Sequence, residues 1–231
     1  MASTDPKPFN IIIALFPGVT QLDFTGPHQV LARLPGAKIT AASLEGGEIE
    51  AEGLVFARMP KLSSIDAHKV DVLLVPGGLG TGQAVENAAF IAEIRRLAEH
   101  ARYITSVCTG SLILGAAGLL KGKRAATHWA WRDTLPLYGA IPDDARVVRD
   151  GNIFTGGGVT AGIDFALTLV AEIVGPEAAQ ATQLGLEYAP APPFNSGRPE
   201  LAPPEVLALV KGRYKERVDE VDAAARKAAT V

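Results

Sequence analysis

Tyr103-Ile104-Thr105-Ser106-Val107-Cys108-Thr109-Gly110-Ser111-Leu112-Ile113-Leu114 is the stretch on which the fold turns. Tyr103–Val107 runs without alternation between apolar and charged residues, as strands covered on both faces of a parallel sheet do. It stops at a cysteine, passes through small residues and enters Gly110–Leu120, a nearly all-apolar segment that is expected to be a buried helix. Strand, sharp turn and helix in that order place the Cys108 side chain at the carboxyl edge of a sheet.

Working outward, Phe9–Phe16 and Val70–Val75 are further continuous runs, and Lys38–Leu44 reads as another strand after a short helix at His28–Leu34. Ala88–Ala101 carries Phe90, Ile91, Ile94, Leu97 and Ala98 at helical spacing opposite Glu93, Arg95, Arg96 and Glu99, which makes it an amphipathic crossover. Arg146–Thr155 fits a hairpin turning at Asp150-Gly151. Gly162–Val174 and Pro176–Leu186 fit helices parted at Gly175-Pro176, and Pro190–Pro204 is too proline-rich for regular structure. Val206–Val210 leads into a charge-alternating helix at Lys211–Lys227. The expected architecture is a single α/β domain over 1–231, with a mainly parallel sheet, helices on both faces, a β-hairpin and a C-terminal helix at 205–227.

The 231 residues are 48% apolar and 20% charged, ordinary values for a globular protein able to bury a large core. A net charge of −3 supplies no basic surplus for phosphates, so nucleic acid is not an expected partner. One cysteine cannot form an intrachain disulfide or a multi-thiolate metal site, which suits a reducing compartment. Phe9–Phe16 lies between Asp5 and Lys7 on one side and Pro17-Gly18 and Asp23 on the other, without a small-x-small cleavage site. It reads as a strand, not as a signal peptide. No stretch is apolar and long enough to span a bilayer, so a cytoplasmic protein without a membrane partner is expected.

Cys108 is the expected nucleophile. A thiol at a helix N-terminus feels the positive end of the dipole and free N–H groups, which favour thiolate, and the Thr109 N–H is placed to help hold an anion on the substrate. The competing account is a small buried hydrophobe. Val75-Pro76-Gly77-Gly78-Leu79-Gly80 closes another strand. Gly77 and Gly78 serve either a tight strand-to-helix turn or an oxyanion site built from their amides. Asp23, in Leu22-Asp23-Phe24-Thr25-Gly26-Pro27, is either a helix or turn cap or a carboxyl of raised pKa that passes protons beside Cys108. His128, in Thr127-His128-Trp129, is the competing and less favoured proton carrier. Gly156-Gly157-Gly158-Val159-Thr160 is expected to turn into a helix and line the pocket.

These segments resemble the ThiJ/PfpI superfamily, also called class I glutamine amidotransferase-like proteins. The resemblance rests on Leu22–His28, Pro76–Gly78, Thr105–Ser111, Gly115–Leu120, Thr127–Ala130, Arg146–Asn152, Thr155–Gly158 and Thr160–Ala166. Leu186-Glu187-Tyr188-Ala189-Pro190-Ala191-Pro192-Pro193-Phe194-Asn195 is similar to the branch of that superfamily that hydrates isocyanides. The resemblance implies a homodimeric, cofactor-free, metal-free flavodoxin-like three-layer sandwich. It also implies addition of water to an isocyanide, giving an N-substituted formamide. Cys108 would attack the terminal carbon to form a thioimidate, and Asp23 would protonate it and then assist water. Many members carry Glu where this chain has Asp23, which fits the hydratase branch. Val159 stands where the family has an aliphatic residue, with a role in mobility of the helix behind the cysteine among the implied options.

Three rivals remain. One is a Cys108–His128 amidase or glyoxalase-like enzyme. Another is the ligand-sensing half of a transcription regulator, which adds a helix-turn-helix domain where this sequence has only 27 residues after Pro204. The last is a redox sensor that forms a sulfenic acid on Cys108.

Overall fold

A segment with no polar face makes a strand only between two covering layers, and β1 (Phe9–Leu15) is such a segment, with Ile11 through Leu15 all buried. The computed structural model describes residues 9–228. Around β1 it builds a six-stranded sheet in the order β2-β1-β5-β6-β10-β9. Here β2 is Ala37–Ser43, β5 Val72–Val75, β6 Tyr103–Val107, β9 Val147–Asp150 and β10 Ile153–Gly156. Five strands are parallel and β9 pairs antiparallel on the edge. Helices cover both faces: α1 (Leu22–Leu31), α2 (Thr81–Glu86), α3 (Ala88–Ala98), α4 (Gly110–Ala116), α5 (Ala161–Val174), α6 (Pro176–Gly185) and α7 (Pro204–Ala228). This is the expected flavodoxin-like sandwich. The expected hairpin is β9–β10, and its second strand joins β6 in parallel register, Phe154 beside Thr105.

Some boundaries differ from expectation, each for a local reason. The helix expected at His28–Leu34 is α1, which begins at Leu22, so Asp23 sits in its first turn and not in a preceding loop. Gly26 and Pro27 suggest a break, but they serve helix packing. A Cβ on Gly26 would lie 3.2 Å from Ile163, and Gly162 of α5 packs on the Pro27 ring. The helix expected over Gly110–Leu120 ends at Ala116, where Leu119 N–H reaches back to Leu114 C=O and Gly118 takes φ 77°. The C-terminal helix is one 25-residue element that takes in Val206–Val210.

Other elements carried no signal in the sequence pattern. A second hairpin, β3 (Gly47–Ala51) with β4 (Leu54–Met59), stands apart from the main sheet. Arg124–Ala125 (β7) and Ile141–Pro142 (β8) form a short parallel bridge that brackets the 3-10 segment Trp129–Tyr138. Among the described residues no helix is long and apolar enough to cross a membrane.

Candidate functional site

The sheet order puts β1, β5 and β6 side by side, so the segments that leave their carboxyl ends converge. Chain order reverses between β1 and β5, the switch point at which open α/β sheets leave a crevice. Asp23 comes from the segment after β1, Gly77 and Gly78 from the one after β5, and Cys108 ends β6.

Cys108 adopts φ 56°, a left-handed conformation that costs a non-glycine residue about 1–3 kcal/mol. Its backbone is held on every side. The Cys108 N–H is shared between the carbonyls of Gly156 (3.1 Å) and Gly157 (2.8 Å), while its own carbonyl accepts Thr127 Oγ1 (3.1 Å) and Ser111 Oγ (3.2 Å). The residue is 5% exposed. Burial pushes its pKa well up and the Asp23 charge adds to that push, while the Val159 and Thr109 N–H groups directed at sulfur oppose it. The expected lowering by the helix N-terminus is therefore outweighed. The resting group is a thiol, and ionisation needs a partner that takes its proton.

Asp23 is that neighbour. Its side chain is fully buried, Oδ2 accepts Gly77 N–H at 2.9 Å, and Oδ1 is buried without a hydrogen-bond partner. Burial raises its pKa to about 7, against the lowering effect of the Gly77 amide and the Cys108 thiol. The charge of Glu52 raises it slightly further. A carboxyl group balanced between its two forms near neutrality suits proton transfer.

Thr109 Oγ1 accepts Gly78 N–H at 3.0 Å and lies 2.7 Å from Thr81 Oγ1, which donates to Gly78 C=O. The two glycines are required by closeness: a Cβ on Gly77 would sit 2.5 Å from Thr109 N, and Gly78 takes φ 154° against the Gly18 carbonyl. Their amides, expected as oxyanion donors, are already donated, Gly77 to Asp23 and Gly78 to Thr109. Gly157 likewise gives its N–H to Arg146 C=O (2.9 Å) and meets Cys108 through its carbonyl. The free amides at the sulfur belong to Thr109 and Val159. Val159 holds φ 20°, unusual for a β-branched residue.

His128 is engaged elsewhere. Nδ1 accepts Ala130 N–H at 3.2 Å, the ring packs on Gly158, and Trp129, Trp131 and Tyr214 surround it at 5.2–5.5 Å between centroids. Burial alone depresses its pKa to about 4, with no contribution from Cys108 or Asp23. His28, the other histidine near these segments, lies on the exposed side of α1. The structure thus brings together Cys108, Asp23, Thr109, Gly77, Gly78 and Val159, and gives Cys108 a carboxyl and not an imidazole as titratable neighbour.

Thr81 and Glu52 were not foreseen. Thr81 follows the glycine cluster, where hydroxyls cap helices routinely, and nothing local marks its contact with Thr109. Glu52 sits at the tip of β3–β4 and accepts Gln21 N–H at 3.2 Å, a contact across 31 residues. Beside Val159 lies a cavity of about 640 Å³ that also meets Arg132, Arg146 and Arg198.

Comparison with known proteins gives the same picture. The DJ-1/PfpI family model matches residues 10–172. The isonitrile hydratase of Pseudomonas putida is 54% identical over 200 residues, covering 86% of this chain and 87% of that protein. The crystal structure of a ThiJ/PfpI family protein from Pseudomonas syringae superposes with TM-score 0.92 at 42% identity, covering 96% of this chain and 92% of that one. Drosophila melanogaster DJ-1beta superposes with TM-score 0.68 at 26% identity, covering 79% of this chain and all of that one.

Proposed function

This chain belongs to the DJ-1/PfpI family, and we propose that it is an isocyanide hydratase, a lyase converting R–N≡C and water to the formamide R–NH–CHO. The observation that carries this reading is the 54% identity to an isonitrile hydratase over 86% of the chain, isonitrile and isocyanide being one functional group.

The side chains suit the reaction. An isocyanide carbon is attacked by a soft sulfur nucleophile, and each adduct needs a proton. In the proposed cycle the Cys108 sulfur attacks the terminal carbon while the Asp23 carboxylate takes the thiol proton. Asp23 then gives that proton to the same carbon, leaving the thioimidate R–N=CH–S–Cys108. Water adds to the carbon with Asp23 as base, nitrogen is protonated, the C–S bond breaks, and formamide leaves as the thiol recovers its proton. Support for these roles comes from the buried Asp23 carboxyl with its free Oδ1, its pKa near 7, and the two amides aimed at sulfur. Thr109 supplies one of those amides, and its hydroxyl ties down the Gly78 loop. Gly77 orients Asp23, Gly157 anchors the Cys108 backbone, and Val159 borders an adjoining cavity.

The rest of the proposal is a cytoplasmic homodimer acting on a small molecule, with 1–231 as one domain. Packing of α7 against Trp129–Tyr138 and α2 supports treating the C-terminal helix as part of that domain. Incubating purified protein with an aryl isocyanide and measuring formamide tests the assignment. Cys108-dependent product is expected, and a folded wild type that forms none contradicts it.

A further inference from the structure

The cavity beside Val159 is unlike a pocket for a neutral molecule. It is lined by three arginines, Arg132, Arg146 and Arg198, together with Asp144 and the apolar groups Trp129 and Val159. Val159 stands between it and the thiol: its N–H is directed at Cys108 sulfur while the residue forms part of the cavity wall, which Cys108 itself does not line. At about 640 Å³ it falls within the range of roughly 300–1,000 Å³ typical of small-molecule sites.

The charges there are unevenly matched. Arg146 is engaged by Asp164 Oδ2 at 2.7 Å and by Thr160 Oγ1 at 3.1 Å. Arg198 donates to the Asp144 carbonyl at 2.8 Å, an uncharged acceptor that leaves its charge standing. Arg132 Nε is buried and has no hydrogen-bond partner. The acidic groups around these arginines are Asp144 in the wall, Asp164 on Arg146, Asp143, which is held by Arg124 and feels Arg132, and, on the other side of Arg132, Asp133, Glu200 and Asp219, which share a neighbouring pocket with Lys211 and Lys215. His128, also in the wall, stays neutral at neutral pH because burial lowers its pKa to about 4. The Arg132 Nε is closed off from the cavity, but the residue lines it and makes no ion pair among the described residues, and a guanidinium fork matches a carboxylate better than any neutral group.

We propose that this cavity is an anion subsite in which Arg132 receives a carboxylate or similar group, so that the preferred isocyanides carry an anionic substituent. This inference rests on the hydratase reading for the identity of the reacting group, and on the arginines for the substituent. Arg132 acts here as a specificity determinant, not as a participant in bond making.

Two measurements on the full-length protein separate the inference from the reading beneath it. Calorimetry compares binding of 4-formamidobenzoate with that of formanilide, which lacks only the carboxylate, to wild type, Arg132→Met and Arg132→Lys. Turnover of 4-isocyanobenzoate and phenyl isocyanide is then compared in the same three proteins. Wild type is expected to favour the carboxylate of each pair by about tenfold or more, an advantage that shrinks as salt screens it. Arg132→Met is expected to cut that ratio by about tenfold and Arg132→Lys to restore part of it. If Arg132→Met fails to fold, Arg132→Lys and Arg198→Gln carry the comparison. Equal binding of the two formamides by wild type, or a ratio unmoved in folded Arg132 variants, overturns the subsite. A carboxylate preference in binding without hydration of either isocyanide leaves the subsite standing and removes the hydratase reading. Hydration without any such preference does the reverse.

Discussion

Asp23 Oδ2 accepts the Gly77 N–H at 2.9 Å. This bond spans the crevice between the segments after β1 and β5 and holds the buried carboxyl against the Cys108 thiol. Burial and the Gly77 amide act oppositely on the carboxyl, and burial wins, raising its pKa to about 7. Several outcomes follow from that balance.

Activity should rise with pH. The attacking state pairs a thiol with an Asp23 carboxylate, so kcat/KM is expected to fall below about pH 7 as Asp23 is protonated. Asp23→Asn keeps an acceptor for Gly77 but loses the proton carrier, and should lower kcat by about 10²–10⁴-fold. A pH–rate profile on wild type, with the variant measured at pH 8, checks both.

Stability should move the other way. Asp23 has its pKa raised from 3.8 to about 7, so between those values the folded state binds more protons than the unfolded one. Its contribution is fully present below about pH 4 and is lost as pH rises to about 7, by up to about 4 kcal/mol. His128, depressed from 6.5 to about 4, has the opposite sign: its contribution is present above about 6.5 and lost as pH falls to 4. The two offset each other in wild type. Denaturant titrations of Asp23→Asn should show stability climbing from pH 4 to 6.5, with a gain over wild type at pH 8 of about 2–4 kcal/mol.

Gly77→Ala puts a methyl group 2.5 Å from Thr109 N, backbone that has little room to retreat. A loss of about 2–4 kcal/mol and of nearly all turnover is expected, since Asp23 and Thr109 both hang on that loop. Gly185→Ala, which meets nothing within 4 Å, should be neutral or stabilise by up to about 1 kcal/mol. Chemical denaturation of the pair gives the comparison.

Thr81→Val removes the hydroxyl 2.7 Å from Thr109 Oγ1 while keeping its volume. The Gly78 loop loses one tie, and kcat is expected to drop about tenfold with little change in overall stability, because Thr81 positions the loop without touching sulfur. Steady-state kinetics beside a thermal melt distinguishes this from a folding defect.

The sheet and the placement of Cys108 at its edge were legible because Tyr103–Val107 and the other runs have no polar face, and because a strand that ends in cysteine and small residues has few alternative structures. Asp23 was legible only as one of two options, a cap or a proton carrier; its carboxyl is buried and accepts the Gly77 N–H from 54 residues away, a contact that the local sequence does not record. Packing of α5 on Gly26 and Pro27 hid the start of α1, since the two residues that look like a break are where two helices touch. Local text also misjudged the thiol. A helix N-terminus lowers a cysteine pKa, but neither the depth of burial nor the neighbouring Asp23 charge is written beside Cys108. Thr81 and the arginine cavity depend on contacts across long stretches of chain, which no periodicity records, while the strands of the β3–β4 hairpin are mostly exposed and so carry no clear apolar pattern.

The most direct test of Cys–Asp chemistry is formamide production from one aryl isocyanide by wild type, Cys108→Ala, Asp23→Asn and His128→Asn, each confirmed folded. The account predicts no product from Cys108→Ala, a loss of at least about 10²-fold for Asp23→Asn, and His128→Asn within about tenfold of wild type. An Asp23→Asn protein that turns over like wild type while His128→Asn is dead would contradict it and hand the proton to the histidine.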